Sequence, residues 1–186
     1  MPHVHTEPGQ HDVTVSAYIV RVDGEEPRVL VHMHRKFGKL FQVGGHLELD
    51  ETPWQTIAHE LREESGYALE ELQVLQPDDK MVSAPGAVQH PVPVIMNTHK
   101  VPGEHFHSDM CFAFVAEAAP AGKPAEGESD DLRWLTIAEL KDAVKQDLAP
   151  EDVALFYEAV VLWYLPTYHR VAATTYSLDK PSETML

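Results

Sequence analysis

The chain has 186 residues, 44% hydrophobic and 24% charged, which is typical of a globular protein of one domain and excludes collagen-like, coiled-coil and wholly disordered classes. Its 14 basic and 30 acidic residues give a formal net charge of −16, which argues against DNA or an anionic membrane as a partner. A single cysteine, Cys111, excludes an internal disulfide, and the start of the sequence lacks an apolar leader, so we expect a cytoplasmic protein.

The N-terminal part predicts a tail followed by a hairpin. Residues 1–10 are polar and contain two prolines and a glycine, which indicates a flexible tail. The segment from His11 to Val22 is rich in β-branched and aromatic residues and predicts a strand. Turn-forming residues at 23–27 and a second apolar run at Val29–Met33 complete the expected hairpin.

The sequence predicts the start of a helix at Thr52. Threonine stands at the N-cap, Pro53 at the first helical position and Gln55 at the third, which is the pattern of a capping box. We expect this helix to run to Ser65 and to end at Gly66, because glycine is favoured just after a helix.

The middle of the chain predicts loops and one core strand. Residues 76–108 are rich in proline and histidine, so we expect long loops there with a strand near Val92–Asn97. Met110–Ala116 is a compact apolar run, as expected of a buried strand. Residues 119–131 have the composition of a loop.

The C-terminal part predicts a short strand and two helices. Leu132–Leu135 suits a strand, and a second capping box begins at Thr136. The last helix is expected over 150–165, at the end of a domain spanning 11–165, and residues 166–186 are expected to form a polar tail. An apolar stripe on the last helix either packs on its own domain or forms a homodimer interface; it comprises Val153, Phe156, Val160 and Trp163.

Three glutamates are the most informative feature of the predicted helix at 53–65. At 100° per residue, Glu60, Glu63 and Glu64 lie side by side next to an apolar stripe, and their like charges repel. A divalent cation such as Mg²⁺, which prefers carboxylate oxygens, makes such a cluster favourable. A solvated acidic helix face is the alternative that this spacing alone leaves open.

The segment GHLELDETPWQTIAHELREESGY, from Gly45 to Tyr67, resembles the Nudix box, G-x5-E-x7-R-E-U-x-E-E-x-G-U, where U is a bulky apolar residue. The resemblance implies the Nudix fold, an α/β fold in which a mixed β-sheet lies between helices, here with an added C-terminal helix. The matching positions are Gly45, Glu51, Glu60, Leu61, Glu63, Glu64, Gly66 and Tyr67.

The same resemblance implies a hydrolase that splits the diphosphate linkage of a nucleoside diphosphate derivative by attack of water on phosphorus, with Mg²⁺ or Mn²⁺ as cofactor. By position, Glu63, Glu64 and the carbonyl of Gly45 would bind the metal. Glu60 would bind metal or act as a base, and Glu51 would support the site.

His59 departs from the box, because the family has arginine at this position. Arginine is a permanent cation with a fork of donors, whereas histidine is fully cationic only below a pKa near 6.5 unless that pKa is shifted. We therefore expect either an enzyme with altered pH dependence or a weakened, non-hydrolysing nucleotide-binding module.

Further candidates lie outside the box. His105, His107 and Asp109 would share one face of a strand by the period of two, either as a substrate-contacting edge or as a polar strand end. Arg35 and Lys39, in a local basic cluster with Lys36, would meet substrate phosphate or simply face solvent. Phe37 or Phe41 would stack on a base or pack in the core. Acidic residues of the late loop, Glu126, Glu128 and Asp130, are candidates for a catalytic acid or a solvated loop. The sequence does not identify the nucleotide derivative.

Overall fold

The computed structural model describes residues 7–81, 84–101 and 105–182, in which one mixed β-sheet lies between helices. Its helices are α1 (Pro53–Glu60), which a π-helical turn at Leu61–Ser65 extends, α2 (Ile137–Lys145) and α3 (Glu151–Ala159), which a second π-helical turn at Val160–Tyr164 extends. The strands of this part of the chain are β1 (His11–Arg21), β2 (Arg28–His34), β3 (Lys39–Phe41), β4 (Val43–His46), β5 (Leu72–Gln76), β6 (Ile95–Lys100), β7 (Phe106–Ala116), β8 (Leu132–Leu135) and β9 (His169–Ala172).

The two longest strands, β1 and β7, form the centre of the sheet. They pair in parallel over their whole length, from His11 opposite Phe106 to Arg21 opposite Ala116. The strand order is β3-β2-β1-β7-β5-β9, with β4 also pairing β1, β6 pairing β7 and β8 pairing β2. All pairs other than β1–β7 are antiparallel.

Each face of the sheet has its own apolar cluster. On one face, Val15 and Phe112 pack against Trp54 and Ile57 of α1. On the other face, Tyr18 and Cys111 pack against α2 and α3, where Tyr157 is fully buried. The expected fold, a mixed sheet with helices on both faces, is confirmed.

Helix α1 begins as its sequence predicts. The hydroxyl of Thr52 accepts a hydrogen bond from the Gln55 N–H, and the Gln55 side chain accepts one from the Thr52 N–H, so the capping box is complete. The helix ends at Gly66, whose φ of 78° is left-handed. This conformation suits glycine because a Cβ would be strained there.

The C-terminal segment differs from the expected polar tail. His169–Ala172 forms β9, which pairs with β5, and Tyr176 is only 5% exposed, its ring centroid 5.8 Å from that of Trp54. The tail prediction was wrong for residues 169–176. The mostly exposed residues of β9 gave no apolar pattern, since an edge strand needs backbone pairing more than side-chain burial.

Two smaller expectations changed in detail. The strand expected near Val92–Asn97 is observed three residues later, as β6. The apolar stripe of the last helix packs on its own domain at Val153 and Val160, but Trp163 is 65% exposed. No helix in the described ranges is both long enough and apolar enough to cross a bilayer.

Candidate active site around a glutamate cluster

Glu64 is the most buried carboxyl group of the cluster on α1. Only 8% of the residue is exposed, and its Oε2 accepts a hydrogen bond of 2.9 Å from the Gly44 N–H of β4. Burial, followed by repulsion from Glu60, raises the pKa of Glu64 well above its usual value. A bound cation would remove this electrostatic cost.

His32 of β2 lies against the same carboxyl group, with its Nε2 3.5 Å from Glu64 Oε2. This histidine is only 2% exposed. Burial lowers the pKa of His32 to about 4, so its imidazole is neutral near pH 7 and the contact is polar rather than an ion pair.

Glu60 lies beside Gly45 of β4. A Cβ on Gly45 would stand 2.0 Å from Glu60 Oε1, so glycine is required for the strand and the carboxyl group to approach this closely. Burial raises the pKa of Glu60 to about 7, and His59 opposes the rise while the charge of Glu63 adds to it. Glu60 therefore carries a protonation change near neutral pH.

His59 joins two other carboxylates of the box. Its Nε2 lies 3.1 Å from Glu63 Oε1, and its Nδ1 lies 3.4 Å from Glu51 Oε1. Partial burial lowers its pKa, but the hydrogen bond that His59 donates to Glu63 and the charges of Glu63, Glu51 and Glu60 prevail and raise it. Glu51 is held from its other side by the Thr56 hydroxyl, which donates to Oε2 at 2.9 Å.

The late loop brings a further acid towards this cluster. The charge of Glu128 contributes to the raised pKa values of both Glu60 and Glu64. The loop is held against the end of α1, where the Ala125 N–H donates to the Glu63 carbonyl at 2.8 Å. Of the three loop acids considered from sequence, Glu128 is thus the one that the structure places in electrostatic contact with the cluster.

This donor set fits a hard divalent cation. The carboxyl groups of Glu60 and Glu64 lie against β4, at Gly45 and Gly44, and burial makes their unneutralised charge unfavourable. Magnesium and manganese take carboxylate and carbonyl oxygens of this kind. Glu60, Glu63, Glu64 and the Gly45 carbonyl are the residues able to hold such an ion.

The basic candidates lie elsewhere. Lys39 pairs with Asp147 Oδ1 at 2.5 Å, beyond the end of α2, so its charge is already engaged. Arg35 is exposed in the turn between β2 and β3. Next to it, Phe37 is 49% exposed, and its ring lies 4.7 Å from that of His34 and 5.6 Å from that of Phe41.

The histidine and aspartate candidates at the start of β7 share one face, but they do not join the glutamates. Asp109 is 5% exposed and accepts hydrogen bonds from the hydroxyls of Thr14 and Ser16, each at 2.9 Å, so its oxygens stabilise the β1–β7 pair. His105 and His107 lie with His46 in a separate cluster. Sequence reasoning missed His46, since it occupies an unspecified position of the box.

Comparison with known proteins agrees with this geometry. The family model described as NUDIX domain matches residues 10–158. The chain belongs to the Nudix family. A "MutT-like protein" of Streptomyces ambofaciens is 41% identical over 69 residues, a match that covers 37% of this chain and 43% of that relative, less than half of its length.

Solved structures of Nudix proteins share the fold. A Nudix-family hydrolase from Clostridium perfringens superposes with a TM-score of 0.63 at 25% identity, covering 81% of this chain and 95% of that one. An Ap4A hydrolase of C. elegans superposes with a TM-score of 0.59 at 16% identity, covering 79% of this chain and 93% of that one. These structures share their fold with this chain, which has His59 in place of the arginine of the box.

Proposed function

We propose that this Nudix protein hydrolyses the diphosphate linkage of a nucleoside diphosphate derivative with Mg²⁺ or Mn²⁺ as cofactor. The observation that carries the proposal is the placement of the Glu60 and Glu64 carboxyl groups against Gly45 and Gly44 of β4, where burial raises the pKa of both groups and the charge of Glu63 adds to each rise. Such an arrangement is unfavourable for the folded chain alone and becomes favourable when a cation and a polyphosphate are present.

The residues take separate roles in this proposal. Glu63, Glu64 and the Gly45 carbonyl hold the metal. A divalent cation bound there would neutralise phosphate oxygens and lower the pKa of water. Glu60 either completes the metal site or acts as a general base, because its pKa of about 7 lets it accept a proton near neutral pH.

His59 and Glu51 position the metal-binding acid. Contacts from His59 to both carboxylates fix Glu63 relative to Glu51, a task for which arginine has the better donor geometry. These contacts support a working site rather than the non-hydrolysing module that the substitution could otherwise indicate. Contact of Arg35 and Phe37 with the substrate stays a prediction from the sequence.

The test is hydrolysis of a nucleotide panel with Mg²⁺ or Mn²⁺, comparing wild type with Glu63→Gln. The panel includes ADP-ribose, dinucleoside polyphosphates, oxidised nucleoside triphosphates and coenzyme derivatives. We expect a loss of about 100-fold or more in Glu63→Gln. The matched control, Glu70→Gln, makes the same change at an exposed acid of the chain and keeps full activity.

Two results would contradict the proposal. Full activity in Glu63→Gln would remove this residue from the metal site. No turnover of any panel member, with metal-dependent nucleotide binding intact, would make the protein a nucleotide-binding module. Binding is measured in the same samples by the rise in melting temperature on adding nucleotide and metal.

A further inference from the structure

A histidine cluster lies on the sheet face opposite the glutamates. Successive side chains of a strand point to opposite faces, so His46 faces away from Glu60 while its neighbour Gly45 lies against it. His46 stands opposite Thr14 of β1, and His107 of β7 stands opposite Asp12. The sheet therefore brings together residues that are far apart in the sequence.

The ring nitrogens of this cluster have the spacing of ligands around one ion. His46 Nε2 lies 3.2 Å from His107 Nε2, which lies 3.3 Å from His105 Nε2. One ligand atom from each histidine falls within 4.8 Å of the other two. Around a tetrahedral ion with bonds of about 2.0–2.1 Å to nitrogen, neighbouring ligand atoms are about 3.3–3.4 Å apart.

Asp12 supplies an independent observation. The residue is 4% exposed, and its Oδ2 is buried without a hydrogen-bond partner among the described residues. This oxygen lies 3.6 Å from His46 Nε2. A buried carboxylate oxygen without a hydrogen bond is costly, and a cation between it and the histidines would remove that cost.

We propose that His46, His105, His107 and Asp12 form a Zn²⁺ site that is separate from the Mg²⁺ or Mn²⁺ site. Three imidazoles and one carboxylate are ligands that zinc accepts and that magnesium does not select. Because four protein donors complete a tetrahedron, the site is structural: it fastens the start of β7 to β1 and β4.

One of these histidines, His107, is in the form that binds a metal. Burial, followed by the charges of His46, His99 and His105, lowers the pKa of His107 to about 4, so its imidazole is neutral and can offer a lone pair near pH 7. A chain of hydrogen bonds among the rings is the competing arrangement. That chain leaves the Asp12 oxygen unpaired, whereas a zinc ion engages all four groups.

The experiment is zinc binding by full-length protein without an affinity tag, after metal removal. Bound zinc is measured by elemental analysis, and Co²⁺ absorption in the visible range reports four-coordinate geometry. We expect about one equivalent of zinc per chain. Affinity should fall by more than about 100-fold in His107→Ala and by about 10-fold or more in the nearly isosteric Asp12→Asn, which guards against a variant that fails to fold.

Matched controls separate this site from other metal ligands. The double variant His3→Ala/His5→Ala removes histidines outside the described residues, and Glu63→Gln alters the glutamate cluster; both should keep the zinc. Less than stoichiometric zinc in wild type, or zinc retention unchanged in both His107→Ala and Asp12→Asn, would overturn the proposal. Since the readout is zinc content, it is independent of nucleotide hydrolysis.

Discussion

At the scale of single residues, His59 makes some of the contacts expected of arginine at this position of the box. Its two ring nitrogens reach Glu51 and Glu63 at the same time. Both contacts are hydrogen bonds only when the ring is protonated, because a neutral imidazole has one N–H. The neighbouring acids favour that protonated form by raising the pKa of His59.

The His59→Arg variant should therefore differ from wild type in its pH dependence. Below its raised pKa, His59 is cationic and contacts both acids; as the pH rises through that pKa, it loses charge and one donor. We expect the ratio of His59→Arg to wild-type kcat/KM to rise by about tenfold or more between about pH 6 and 9, since a hydrogen bond to a charged group contributes about 1.5–3 kcal/mol.

The control for this profile is His59→Gln, which is neutral throughout. Its activity relative to His59→Arg should be low already at the acid end and should change little with pH. A ratio of His59→Arg to wild type that does not vary with pH would show that the charge of His59 has no role in positioning Glu63.

Glu60 should destabilise the metal-free protein. Its pKa rises from 4.5 in the unfolded chain to about 7 in the folded one, so its ionised form costs folding free energy that appears above about pH 4.5 and is complete above about pH 7. Allowing for solvent screening, we expect Glu60→Gln to raise stability by about 1–2 kcal/mol at about pH 8.

The measurement is the melting temperature without metal, where this gain corresponds to about 2–8 °C. Glu70→Gln should show no comparable change. Added Mg²⁺ should stabilise wild type more than Glu60→Gln, because the ion replaces the repulsion that the variant has already removed. A lower melting temperature in metal-free Glu60→Gln would contradict the assigned cost.

Residue-level prediction from sequence succeeded where spacing is local. The box predicted that Glu60, Glu63 and Glu64 lie on one helix turn, because their relative positions depend only on helix geometry. The partners of these acids from other strands, such as His32, depend on sheet register that the sequence does not state. Asp12 and His46 were missed for the same reason.

At the scale of elements, the end of α1 depends on a glycine for two reasons. Gly66 has left-handed backbone geometry, and a Cβ there would stand 2.6 Å from the Gly122 carbonyl carbon of the late loop. The same loop contacts the α1 end through the Ala125 hydrogen bond. The π-helical turn that carries Glu63 and Glu64 is thereby held between two pieces of backbone.

Gly66→Ala should therefore lower the free energy of unfolding by more than the strain of a left-handed alanine alone would. Gly38 provides the matched control, since its φ of 61° is also left-handed but no atom lies within 4 Å of the point where a Cβ would stand. We expect Gly38→Ala to lose about 1 kcal/mol and Gly66→Ala to lose about 3 kcal/mol or more, measured by urea unfolding. Equal losses of stability in the two variants would show that the late loop moves aside without an energetic cost.

Elements with strong local signals were predicted well. The two capping boxes, at Thr52 and Thr136, and the apolar run of β7 are readable without tertiary information. The short strands β3 and β4 and the edge strand β9 were not, because their apolar residues are too few to form a strand pattern and backbone pairing holds them, whereas the equally short β8 is mostly apolar and was predicted.

At the scale of the whole molecule, the C-terminal segment is part of the core. Tyr176 packs on Trp54, and its hydroxyl donates to Gln76 Oε1 at 3.3 Å. Farther along the chain, the Leu178 carbonyl accepts a hydrogen bond of 2.8 Å from the Gln55 side chain, so the C-terminal segment also contacts α1. The domain limit expected at residue 165 therefore divides a packed unit.

Tyr176→Ala should unfold at clearly lower denaturant concentration, with a loss of about 3 kcal/mol, because it leaves a cavity beside Trp54. The control is Trp163→Ala, an aromatic residue that is 65% exposed, where we expect a change within about 0.5 kcal/mol. If the stability lost in Trp163→Ala increased with protein concentration, this would instead support a homodimer. The homodimer stays a prediction from the sequence.

The parallel pairing of β1 with β7 determines when the centre of the sheet can form during synthesis. Thr14 and its partner Asp109 are 95 positions apart, so the longest strand of the sheet has no central neighbour until the ribosome has synthesised β7. During that interval β1 and β2 can pair, but the other edge of β1 leaves backbone N–H and C=O groups without strand partners. Contacts this distant in sequence slow folding, and the nascent chain therefore needs protection before the sheet closes.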